Sequence, residues 1–238
     1  MNKPQIDELL YQALETELGG VEVYQTAIEC AENDDLKEEW EKYGRQTKQH
    51  VRIVQGLLKE LGLDPEKETA GRRIVRAKGQ SLVAAMRMAQ KEGPPEAAQI
   101  VAAECVVDAE TKDHQNWHLI GEIAKKAPAS AKKALQEAYD EVEDEEDEHL
   151  YHTKGWAREL WLDSLGLPAE LPPPEEERDV KTEMEEAEVN EERKGKAPRE
   201  EKAAKGKSSG RGTPSKSRRG INAPGQGRDK GRRRPAEA

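Results

Sequence analysis

The sequence predicts an all-α protein: an antiparallel four-helix bundle with a long crossover between its second and third helices, followed by a disordered C-terminal tail. Three observations predict it. Apolar residues recur at steps of three and four along four long stretches. Pro, Gly and Asn-Asp groups separate those stretches. Large apolar residues all but vanish beyond Leu171. With 34% hydrophobic residues and no Phe, a single domain over residues 1–170 with a tail at 171–238 is favoured over two separate cores.

The first helix is expected from residues 4–7 to residue 32, with Leu10, Ala13, Glu17, Gly20, Tyr24, Ala27 and Ala31 on one stripe. Asn33-Asp34-Asp35 supplies a turn and an N-cap. The second helix follows to about residue 61, where Gly62 and Asp64-Pro65 end it. Its stripe reads Leu36, Trp40, Tyr43, Thr47, His50, Val54, Leu57, Leu61. Each helix of about 28 residues spans roughly 42 Å, and the short turn makes the pair antiparallel. Residues 62–95 are too many for a hairpin and read as a crossover containing a short helix at 81–90. Pro94-Pro95 opens the third helix, with Ala103, Val106, Val107, Glu110, His114, Trp117 and Ile120 on its stripe. Pro128 and Ser130 open the fourth, which ends near Gly166-Leu167-Pro168. Its stripe reads Leu135, Tyr139, Val142, Glu146, His149, Thr153, Trp156, Leu160.

Charge divides the chain into three parts. The net charge of −10 combines −8 over residues 175–192 and +12 over residues 193–238, leaving −14 for residues 1–174. The tail cannot form a core, so disorder is expected there, with transient helix near 180–193. Its Arg and Lys clusters suit non-specific, salt-sensitive binding to nucleic-acid phosphates, with no aromatic residue for base stacking. A solubilising tail that folds back on the acidic body is the plainer reading. No apolar run approaches a membrane span and the N-terminus lacks a signal-peptide pattern, so a cytoplasmic protein without a membrane partner is expected. Cys30 and Cys105 are read as reduced packing residues.

The polar exceptions within the stripes carry the chemistry. Glu17, Glu110 and Glu146 occupy core positions, where an unpaired carboxylate costs several kcal/mol unless it pairs, protonates or binds a metal. His149 follows Glu146 by three residues, one turn along the same face. The two halves of the chain also match: a shift of 93 places Glu17 on Glu110 and Tyr24 on Trp117, and a shift of 99 places His50 on His149 and Trp40 on Tyr139. Carboxylate oxygens mixed with imidazole nitrogens suit iron or manganese, and paired thiolates for structural zinc are missing.

On these residues the chain resembles the ferritin-like superfamily, which includes rubrerythrins, manganese catalases and small bacterial stress-associated bundles. The stretch 46–62 and the pairing Asp113-His114 with Gly121 resemble the last group. The resemblance implies a two-metal centre held by a Glu from each of two helices and a Glu-x-x-His from each of the other two. Carried over, Glu17 and Glu110 are the single carboxylates and Glu146 with His149 is a complete Glu-x-x-His. The second motif is incomplete, since Thr47 stands three residues before His50 and Gln46 is a neutral neighbour. His114, four residues after Glu110, is the candidate to compensate, giving Glu17, His50, Glu110, His114, Glu146 and His149 around two iron ions, or manganese. A lopsided two-metal site and a single ion both remain open.

The implied activity is oxidation of Fe(II) or reduction of peroxide under stress, and the resemblance is compatible with a homodimer, while cage assembly is not indicated. Each reading has a plainer competitor. Glu146 with His149 competes with an ordinary buried ion pair, and His50 with a histidine bonded to a neighbouring helix. His118 and His152 are expected at the boundary, paired with Glu122 and Glu148, and the acidic run 140–148 is expected to be mostly a solvated face. The contrasting function is a degenerate, non-catalytic bundle that engages nucleic acid or another anionic partner through its basic tail.

Overall fold

Pro4 in the first turn, where its missing N–H has no acceptor to lose, starts α1 (Lys3–Cys30). Asn33 caps α2 (Asp34–Glu60), its side-chain oxygen accepting from Leu36 N at 3.1 Å. Gly62, at φ +71°, ends it in the left-handed conformation that Gly adopts without a Cβ penalty. Three further helices follow: α3 (Ala70–Glu92), α4 (Pro95–Lys126) and α5 (Ala129–Ser164). The structure, a computed structural model, describes residues 1–177. No strand occurs among the described residues, and none of their helices is long and apolar enough to cross a membrane. The basic clusters, the transient helix at 180–193 and most of the expected tail lie outside them.

The crossover differs from expectation. In place of a short helix at 81–90 there is a 23-residue α3 that packs on α1 and α4. Its first half escapes an apolar-periodicity reading because ions hold it. Glu15, buried on α1, accepts from Arg72 Nε at 2.8 Å and from Arg76 Nε at 2.6 Å. Arg72 Nη1 also donates to the Pro65 and Lys67 carbonyls, at 2.7 and 3.0 Å. Glu8 of α1 accepts from Thr69 Oγ1 and Gly71 N at the start of α3. Arg72→Ala is therefore expected to destabilise the fold by about 3 kcal/mol in urea unfolding, because a buried carboxylate loses one partner and two carbonyls lose their donor. Unchanged stability would show that Arg76 alone suffices.

Two apolar clusters make up the core. One joins Leu10, Ala13 and Leu14 of α1 to Val54 and Leu58 of α2, Trp117 and Ile120 of α4, and Leu135 and Val142 of α5. The other joins Val23, Tyr24 and Ala27 to Leu36, Trp40 and Tyr43, Met86 of α3, Ala103 and Val106 of α4, and Trp156 and Leu160 of α5. α1 packs on α2 and α4, and α5 packs on α2 and α4. Between the two clusters each of these helices crosses one shared polar layer.

Gly20 lies where α1 and α2 come close, since a Cβ there would stand 3.1 Å from the Thr47 methyl. Close helix approach accounts for glycine at Gly20. Cys30 and Cys105 are buried free thiols, and burial pushes each pKa up to about 11, which leaves them unreactive.

Candidate metal centre

The polar layer contains Glu17 on α1, His50 on α2, Glu110 on α4, and Glu146 and His149 on α5, all buried. The apolar stripes determine this: each residue takes a core position on its helix, flanked by residues of both clusters. Two groups of three donors form, Glu17 with His50 and Glu146, and Glu110 with Glu146 and His149, each with its ligand atoms within 4.8 Å of one another. Glu146 belongs to both groups. Its Oε1 lies 2.9 Å from His50 Nδ1 and 3.6 Å from His149 Nδ1. Glu17 Oε2 lies 3.7 Å from His50 Nδ1, and Glu110 Oε2 lies 3.7 Å from His149 Nδ1.

Both imidazoles are oriented from behind. His50 Nε2 donates to Glu145 Oε2 at 2.8 Å, and His149 Nε2 donates to Gln46 Oε1 at 3.1 Å. A histidine that donates through Nε2 keeps a lone pair on Nδ1, and both Nδ1 atoms face the carboxylates. Yet His50 Nδ1, though 2.9 Å from Glu146, is not aligned with it as a hydrogen bond. Nine buried side-chain polar atoms lack a hydrogen-bond partner among the described residues, and six belong to Glu17, His50, Glu110, Asp113, Glu146 and His149. Buried polar atoms are rarely left so. Their concentration in one layer, pointing at one another, fits a bound cation.

The charges agree. The other buried carboxylates have cationic or imidazole partners: Glu15 has two arginines, Asp147 has His114 and Glu159 has Arg158. Of such partners, Glu17 and Glu146 face only His50 and His149, neither they nor Asp113 has a lysine or arginine bonded to it among the described residues, and each is raised well above the ordinary carboxylate range. Burial is the first cause, followed by the charge of Asp113 for Glu17 and Glu146 and of Glu110 for Asp113. His50 is held down to about 4 by burial and then by His149, so its imidazole is neutral near pH 7. A cation in the layer would reverse the carboxylate shifts, as nearby positive charge favours the ionised form.

Five of the six expected ligands come together, and His114 does not join them. It is one-quarter exposed and bonded through Nε2 to Asp147 Oδ1 at 2.8 Å. Thr47 contributes no ligand atom, because its hydroxyl donates to the Tyr43 carbonyl of its own helix at 2.9 Å. Gln46 supports His149 and does not enter either donor group.

The pairing of His152 differs from expectation. His152 pairs with Glu39 at 3.0 Å, while Glu148 is bonded to Lys42 at 2.8 Å. The acidic run 140–148 is mostly exposed or half-exposed, as expected, with Glu145 bonded to His50, Glu146 in the polar layer and Asp147 bonded to His114. Asp113 was unrecognised as part of the layer. It lies one turn after Glu110 and hydrogen bonds to Glu17 and Asn116, and the Glu110, Asp113, Trp117 spacing was the signal available for it.

Aromatic groups close the layer. Trp117 Nε1 donates to Glu17 Oε1 at 2.7 Å, which leaves Oε2 to face His50. The rings of Tyr43 and Tyr24 lie against His149, with centroids 4.3 and 5.9 Å away. A crevice of about 10 Å³, the room of roughly one water, reaches Glu146 from His114, His118, Glu143 and Asp147.

Beyond Tyr43 lies a second polar group. Glu39 accepts from Tyr43 Oη, from His152 Nδ1 and from Trp156 Nε1. Trp156 also bonds Glu176 of a 3-10 turn, Pro174–Glu177, so residues expected to begin the tail pack on α5 instead. Arg158 reinforces this through Glu175 at 2.6 Å. Glu176 is pushed up to about 7 by burial and then by its hydrogen bond to Glu39. Burial opposes ionisation of Glu39, but bonds from His152, Glu176, Tyr43 and Trp156 outweigh it and lower its pKa.

The Glu176 proton is thus favoured in the docked state. Its contribution is fully present below the free-carboxyl value of about 4.5 and is lost as pH rises through about 7. Protection of the 175–177 amides, relative to intrinsic exchange at each pH, is expected to be greater at pH 5 than at pH 8, and Glu176→Gln is expected to remove that difference. Equal protection at both pH values in the parent chain would show that Arg158 and Glu175 govern docking.

Set against protein-family models, curated proteins and solved structures, the chain matches none.

Proposed function

We propose that the chain is a ferritin-like metal-binding protein whose polar layer holds two ions of iron or manganese and serves oxidation of Fe(II) or reduction of peroxide. The observation that carries this reading is the sharing of Glu146 between two three-donor groups. Each group otherwise has one carboxylate and one imidazole of its own. Charge supports two divalent ions: Glu17, Glu110, Asp113 and Glu146 bring four negative charges when ionised, equal to the charge of two such cations. The packing of α1 on α2 and α4, and of α5 on α2 and α4, suits an antiparallel four-helix bundle with α3 as its crossover.

When bound, such ions supply one-electron redox chemistry and Lewis acidity. The chain's own residues prepare for this. Glu145 and Gln46 fix the ring orientation of His50 and His149. Trp117 leaves one Glu17 oxygen directed inward. The two apolar clusters exclude water above and below the layer, which strengthens its electrostatics. Burial and the neighbouring carboxylates favour the protonated forms of Glu17, Asp113 and Glu146, and a cation in the layer would favour their ionised forms. Thr47 in place of a glutamate leaves Glu146 as the shared carboxylate between the groups.

The test is elemental analysis of untagged protein with anaerobic titration of Fe(II) and Mn(II), followed by air or peroxide. Two ions per chain with rapid oxidation is the expected result. No binding of either metal at any loading would refute the reading.

A further inference from the structure

We infer that a cavity of about 360 Å³ between α1, α3 and α4 is a binding site for a small organic anion with an apolar body, of the size and polarity of a medium-chain carboxylate. This inference does not depend on the metal reading. Ligand sites are commonly apolar hollows of roughly this size with a few placed polar groups, whereas packed interiors hold few voids larger than a water.

Three observations carry the inference. Gly19 and Gly20 of α1 and Gly79 of α3 line the cavity, in the interiors of their helices. An interior glycine costs about 1 kcal/mol against alanine. For Gly20 the Thr47 methyl at 3.1 Å accounts for that cost, but a Cβ at Gly19 would meet no atom within 4 Å. Neither packing nor a turn requires glycine at Gly19, and what its missing side chain leaves is open space. A Cβ on Gly79 would lie 3.7 Å from Gly19 Cα, so the two helices face each other there through their barest positions.

The remaining walls are apolar. Val23 of α1, Val75 and Leu82 of α3 and Ala109 of α4 suit a hydrocarbon body.

Charge selects the head group. Lys78 and Lys112 both line the cavity; Lys112 feels the Asp113 carboxylate behind it first and the like charge of Lys78 second. Glu15 also lines it, but its carboxylate is taken by Arg72 and Arg76. Asp108, exposed, is the remaining acid, so with Glu15 held by its two arginines the lining offers two ammonium groups against one uncommitted carboxylate, in a body that is strongly acidic. Lys112 is half-buried and bonded to Asn116, which in turn donates to Thr16 at 2.9 Å. This chain of bonds fixes one ammonium at the inner end while Lys78 stands at the exposed rim. An anionic head between the two ammonium groups pairs with both, and the body then lies against the glycines.

Calorimetric titration of full-length protein with octanoate, 1-octanol and inorganic phosphate tests this. Saturable one-site binding of octanoate is expected, at least tenfold tighter than octanol or phosphate. The double variant Lys78→Gln/Lys112→Gln is expected to weaken octanoate at least tenfold, and Gly19→Leu to abolish binding while keeping the melting temperature. If Gly19→Leu does not fold, Val75→Trp fills the same space from α3 and is expected to give the same loss. Absence of saturable octanoate binding, or undiminished binding by the filled variant, overturns the site. Equal affinity for octanol overturns the anionic head, and equal affinity for phosphate overturns the apolar body.

Discussion

Glu146→Ala is expected to remove both ions from the protein, whereas His50→Ala and Glu110→Ala each remove one. The asymmetry follows from the sharing of Glu146 between the two donor groups, while His50 and Glu110 belong to one group each. Loss of one ligand of three, in a site whose other donors are fixed by Glu145, Gln46 and Trp117, is expected to weaken an ion by 10- to 100-fold or more. Titration of each variant with Mn(II), followed by paramagnetic resonance of the free ion, counts the sites directly. If Glu146→Ala retains one tightly held ion, the shared role is wrong, even if metal binding itself is real. If His50→Ala loses both, the two sites are not independent in the way the geometry implies.

The second large effect concerns stability, and its sign is expected to reverse with loading. Each ion present at about 100 times its dissociation constant contributes about 2.7 kcal/mol. For a domain of this size two ions then raise the melting temperature on the order of 10–20 °C. In the metal-free protein the same carboxylates oppose folding, because their pKa values are raised by burial and by one another. Glu146→Gln is therefore expected to stabilise the metal-free protein by about 1–3 kcal/mol while lowering the melting temperature of the loaded one. Metal uptake must also displace the protons those groups hold, so affinity is expected to rise with pH. Scanning calorimetry of parent and Glu146→Gln, with metal and with chelator, gives all four temperatures. A destabilised metal-free variant would mean that Glu146 serves as an ordinary structural hydrogen-bonding group.

The layer was legible in the sequence because an α-helix converts spacing into direction. Glu17, His50, Glu110, Glu146 and His149 each interrupt an apolar stripe, and interruptions at matching depth on packed helices must meet. His114 was misplaced by the same rule: about 40° of rotation from Glu110 carries it off the stripe and onto Asp147, whereas Asp113, on the other side, turns in. The imidazole supports could not be read, since Glu145 and Gln46 lie beside the stripes and look like surface residues until the facing helix is present. α3 was shortened for a related reason. Its first half is held by Arg72 and Arg76 on Glu15, a contact across 57 and 61 positions that no local pattern reports. Residues 174–177 pack on α5 because Glu175 and Glu176, composed like a tail, find Arg158 and Trp156 there.

The division of the core into two apolar clusters has a consequence for cooperativity. Each helix of the bundle threads both clusters, but between them the side chains are carboxyls and imidazoles rather than interlocked hydrocarbon. Without a cation the junction holds several buried polar atoms that lack a partner among the described residues, so opening one half is expected to cost the other less than a continuous apolar core would. Ions that tie four helices across the junction convert two loosely linked blocks into one unfolding unit. The layer is then the clasp that determines whether the protein melts in one step or two.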